Sequence, residues 1–141
     1  MGAPGRLLRV RSPLLWGAGT LAAVVVVHVW DPNQPGSYGL CPFRELTGLV
    51  CPGCGGLRAV HAITHGDWAT AWGLNPAVAL GLPVAVAAWL VWLVVSWRRP
   101  PGVAAPAPRR ALVPWSGLAA MFLFGVLRNV PALVPHLSAL T

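Results

Sequence analysis

The sequence predicts an all-α integral membrane protein. Three transmembrane helices and one or two short interfacial or re-entrant helices are expected, within a single membrane domain covering residues 1–141. Three observations lead there. Hydrophobic residues make up 56% of the chain and charged residues 9%, against about 25% charged in an ordinary soluble domain. Only three acids occur, Asp31, Glu45 and Asp67, too few to cover a water-facing exterior. Apolar runs at about 14–30, 76–97 and 112–130 approach the ~20 residues that cross a hydrocarbon core.

The first run follows a short basic tail containing Arg6, Arg9 and Arg11. A cleaved signal peptide is the competing reading, but no small-residue cleavage site follows the run, so a retained span is expected. Asp31 to Ser37 is a polar turn cluster that ends it. Asn75-Pro76 opens the second run as N-cap and first helical residue. Pro83 predicts a kink inside it, and Trp89, Trp92 and Trp97 mark the approach to an interface. The Pro/Ala stretch between Arg98-Arg99 and Arg109-Arg110 reads as a surface loop. Leu112 begins the third run, which closes on Arg128-Asn129. His28 reads as an interfacial residue, and no partner can be named for His136. Gly81 and Ala85 are spaced for helix packing.

All ten basic residues are arginine, and the net charge is +7. They cluster at the ends of apolar runs, where anionic lipid headgroups explain them, and no nucleic-acid motif accompanies them. Three crossings place the N-terminal arginines and those of the Pro/Ala loop on one side, which the positive-inside rule makes cytoplasmic. The segment from Asp31 to Leu74 is then extracytoplasmic.

That segment holds all three cysteines, Cys41, Cys51 and Cys54. With Cys51 as N-cap and Pro52 at the first position, a helix running to His65 is expected. Cys54 would lie in its first turn, where the dipole favours a thiolate. Cys54, Arg58, His61 and His65 would then share one face. Gly66 would end this helix, and Asp67 would cap a second short one, Trp68 to Gly73, with Trp68 and Trp72 as interfacial anchors.

The run C-P-F-x-x-L-T-G-x-x-C-P-G-C-G-x-x-R-A, followed by H-G-D-x-x-x-A-x-x-x-N-P, resembles the signature of the domain of unknown function 2752. The resemblance covers Cys41 to Pro76 and implies a small multi-span protein of the bacterial cell membrane. It implies no catalytic residue.

Three readings of the cysteines stay open. As a metal centre, Cys41, Cys51, Cys54 and His61, or His65 in its place, would make a Cys₃His set for zinc. As a redox pair, Cys51 and Cys54 would exchange thiol and disulfide with Arg58 lowering a thiol pKa, although no βαβ context accompanies them. As a structural staple, two cysteines would form a disulfide, Gly53, Gly55 and Gly56 would allow close helix approach, and Arg58 would pair with Glu45. The leading expectation is a non-enzymatic component whose cysteine motif forms a structural or metal-binding site, supporting another membrane protein. No Walker loop, Ser-His-Asp set or carboxylate pair suggests other chemistry.

Overall fold

The computed structural model describes residues 3–34, 41–98, 112–131 and 133. The described residues are helical, with no strand: α1 (Ala3–Val29), α2 (Pro42–Thr47), α3 (Gly56–Thr64), α4 (Trp68–Leu74), α5 (Pro76–Arg98) and α6 (Leu112–Leu127). The expected basic tail is not separate from the first apolar run, because helix α1 begins at Ala3 and continues through Pro13. The loop between the arginine pairs lies outside the described residues from Arg99 to Arg110, as does His136.

Proline and capping residues set the short elements. Pro42 occupies the start of α2, with Cys41 as its N-cap; this helix was not expected from the sequence. Asp67 caps α4 as its composition predicts, its Oδ1 accepting from the Thr70 N–H at 2.9 Å. Asn75 closes α4 and caps α5, accepting from the Val78 N–H at 3.2 Å. Pro83 lies within α5, and the helix continues beyond it.

Helices α1 and α5 run antiparallel. The indole Nε1 of Trp89 donates to the Pro13 carbonyl at 2.8 Å. Gly17 makes that approach possible, since a Cβ there would stand 2.5 Å from the indole ring. At the other end, a small alanine core joins three elements: Ala59 and Ala62 from α3, Ala71 from α4 and Ala79 from α5. Ile63, Leu74 and Val78 pack around it. Alanine at these positions lets the helix backbones approach closely, the role small residues play between membrane helices.

The large apolar side chains mostly point outward. Leu15, Trp16, Leu80, Val84, Leu118 and Phe122 are all exposed. Among the described residues, two helices are long and apolar enough to cross a membrane, Val10–Val29 and Pro76–Arg98, and only 11% and 6% of their windows are buried. So little burial sets them apart from the core helices of a water-soluble fold. The third expected span falls short. Helix α6 has 16 residues, or about 24 Å against a ~30 Å hydrocarbon core. Just beyond its end, Arg128 and Asn129 place their side chains on the cysteine segment, as described next.

Candidate functional site

The C-P-G-C sequence folds as a tight turn ahead of α3. The Cys54 N–H donates to the Cys51 carbonyl at 3.1 Å, and the Gly56 N–H to the Gly53 carbonyl at 2.9 Å. Gly55 is the N-cap of α3 with φ of 74°, a left-handed conformation that a side chain would strain. This turn brings Cys51 Sγ to 2.8 Å from Cys54 Sγ. Cys41 arrives from the start of α2, its Sγ 3.6 Å from that of Cys51. All three cysteines are free and half-buried, with their sulfurs within 4.8 Å of one another.

Cys54 therefore precedes α3 instead of lying in its first turn, and the expected dipole stabilisation of a thiolate is reversed. Burial, reinforced by hydrogen bonding with Cys51 and Cys41, pushes the Cys54 thiol up to about 12. Cys41 moves the other way: the Arg44 backbone N–H, and then its neighbouring thiols, hold it below the ordinary thiol value.

The other expected site residues are engaged elsewhere. Arg58 Nε donates to the Pro32 carbonyl at 3.4 Å, rather than reaching Glu45 or the thiols. His61 Nδ1 lies 2.8 Å from the Val27 carbonyl; a carbonyl only accepts, so that nitrogen carries the proton. Its Nε2 is 3.7 Å from Asp31 Oδ1. The His65 ring lies between those of His61 and His28, with centroids 4.2 and 4.3 Å away. Arg58, His61 and His65 do share a helix face, as their spacing predicts. That face docks onto the end of α1, however, and leaves His61 outside the thiol cluster.

Three polar residues that the sequence reading gave no part in the site hold the cysteine turn from behind. Arg128 is fully buried. Its Nη1 donates to the carbonyls of Cys54 at 2.9 Å, Cys51 at 3.2 Å and Pro52 at 3.5 Å. Its Nη2 donates to the Leu74 carbonyl at 2.9 Å, and Phe124 lies beneath the guanidinium at 5.3 Å. Asn75, also fully buried, donates from Nδ2 to the carbonyls of Pro52 at 3.0 Å and Cys54 at 3.1 Å. Asn129 pairs with the backbone of Val50 in both directions at 2.9 Å, as a strand neighbour would. Gly125 adds the close approach, for a Cβ there would stand 3.3 Å from the Pro52 ring. The available signal for Arg128 was its position: a cation closing an apolar run needs a polar destination.

A family model described as "Protein of unknown function (DUF2752)" matches residues 41–89. No curated protein and no solved structure matches the chain. The matched region contains the three thiols, α2 to α4, Asn75 and the first half of α5, while Arg128 and Asn129 lie beyond it. Residues 41–89 thus match the model of the same family that the cysteine, glycine and Asn75-Pro76 pattern resembles.

Proposed function

We propose that this chain is a non-enzymatic membrane protein whose cysteine cluster holds a thiophilic metal ion, zinc by preference, that fastens the segment between α1 and α5. The observation that carries this reading is the convergence of Cys41, from the start of α2, with Cys51 and Cys54 of the turn before α3, all sulfurs within 4.8 Å. Zinc–sulfur bonds of about 2.3 Å in a tetrahedron put ligand sulfurs roughly 3.7 Å apart. The Cys41–Cys51 pair already stands at 3.6 Å, and the Cys51–Cys54 pair at 2.8 Å would widen on binding. With His61 held on Val27, the fourth position falls to a ligand from outside the cluster.

Helices α1 and α5 cross the bilayer in this reading, and lipid covers their apolar flanks. The N-terminal arginines and Arg98 lie on the cytoplasmic side, and the cysteines lie opposite. The chain supports another membrane protein through the fastened segment. A second reading draws on the 2.8 Å Cys51–Cys54 approach, which needs little movement to become a disulfide on an oxidising face. In that case the pair serves thiol–disulfide exchange.

Metal analysis of the detergent-purified chain separates the two readings. About one zinc per chain, lost in Cys54→Ser, is the expected result. A metal-free chain whose Cys51 and Cys54 alternate between thiol and disulfide in thiol-trapping experiments overturns it in favour of exchange.

A further inference from the structure

Two of the carbonyls that anchor Arg128 belong to proposed ligand residues, Cys51 and Cys54. Nη1 is 2.9 Å from the Cys54 oxygen and 3.2 Å from the Cys51 oxygen, and the guanidinium is fully buried. Asn75 Nδ2 binds the same Cys54 oxygen and that of Pro52. A buried guanidinium and a buried amide thus hold the backbone of two of the three cysteines whose sulfurs converge within 4.8 Å.

From this arrangement we infer that Arg128 is the charge partner of a three-thiolate centre and that the centre takes a divalent ion. The inference rests on the metal-site reading above. Binding exchanges three S–H protons, released to solvent, for three sulfur–metal bonds, with no change in oxidation state. Three thiolates around a divalent ion leave one net negative charge, and the arginine beside them balances it. A monovalent ion such as Cu(I) would leave two negative charges against one positive. In a site of low dielectric, a net charge of zero carries the smallest desolvation penalty. Arg128 touches neither metal nor sulfur in this scheme; it is a positioning residue acting through the Cys51 and Cys54 backbone.

The test uses the full reduced chain in detergent under anaerobic conditions, titrated separately with Cd²⁺, Zn²⁺ and Cu⁺. Sulfur-to-cadmium charge-transfer absorption reports how many thiolates bind. The expected result is one divalent ion per chain on three thiolates. Arg128→Gln keeps hydrogen-bond donors but loses the charge, and should bind Cd²⁺ roughly 10–100-fold more weakly, as removal of an outer-shell partner does. Arg128→Lys keeps the charge and should recover most of that affinity. A packing role alone would not separate Gln from Lys, so equal affinity in both variants overturns the charge-partner role. If either variant loses its helical signal, wild-type ion preference still decides the assignment. Uptake of Cu⁺ in preference to Zn²⁺ and Cd²⁺ overturns the divalent assignment and leaves a metal site standing. Failure to bind any ion overturns the metal-site reading itself.

Discussion

Cys41 and Cys54 show how two thiols of one cluster are driven in opposite directions. Cys41 sits at a helix start, where a backbone N–H favours its thiolate, whereas burial and its neighbouring thiols disfavour the charge at Cys54. In the reduced, metal-free chain at pH 8, alkylation is expected to be faster at Cys41 than at Cys54, as measured by mass spectrometry over time. The sign of the stability effect follows from the raised Cys54 value. The unfolded chain ionises this thiol near 9 and the folded chain near 12, so folding weakens as pH rises through that interval and is unaffected by Cys54 below it. An alkaline melting series in wild type, flattened in Cys54→Ala, checks this. Arg128 makes the complementary point. As one letter it reads as a headgroup contact at the end of an apolar run, but the backbone carbonyls that bury it belong to residues more than 50 positions away.

Among the elements, α6 depends most on a few polar contacts. Its described side chains are mainly exposed, and its C-terminal end is held by Arg128, Asn129 and the fit of Gly125 against Pro52. Asn129→Ala removes both bonds to Val50. It is expected to destabilise α6 docking by about 1–3 kcal/mol, the usual cost of orphaning such groups. Hydrogen exchange should rise in α6 and in the Leu49–Cys51 stretch while α3 to α5 remain protected; unchanged exchange in α6 would refute the dependence. The α1–α5 pair is held differently, by apolar contact around the Trp89–Pro13 hydrogen bond with Gly17 as the seat.

At the scale of the whole molecule, a polar, thiol-bearing end is built on a pair of long apolar helices. The ends of α1 and α6, the start of α5, and all of α3 and α4 meet there, so the site is assembled from segments far apart in the chain. An apolar exterior on α1 and α5 predicts that the purified chain stays monodisperse only in detergent or lipid, measured by size-exclusion chromatography after detergent removal. In cells, the proposed orientation predicts that a membrane-impermeant thiol reagent labels Cys41 once the site is reduced and stripped of metal. Labelling only after membrane lysis would reverse the orientation.

Much of this was legible in the linear pattern, and the reason is local. Apolar runs, Asn75-Pro76, Asp67 and the three clustered cysteines act through neighbouring residues, so composition and spacing determine helix positions, caps and the candidate ligand set. Even so, a 3.6-residue period could say that Arg58, His61 and His65 share a face but not which helix that face meets. Tertiary structure decided that they dock on α1, that Cys54 precedes its helix, that α6 stops short, and that Arg128, Asn75 and Asn129 stand behind the cysteine turn. These outcomes depend on where buried donors find carbonyls across the fold, and that pairing is settled only when distant segments pack and exclude the solvent that would otherwise satisfy them.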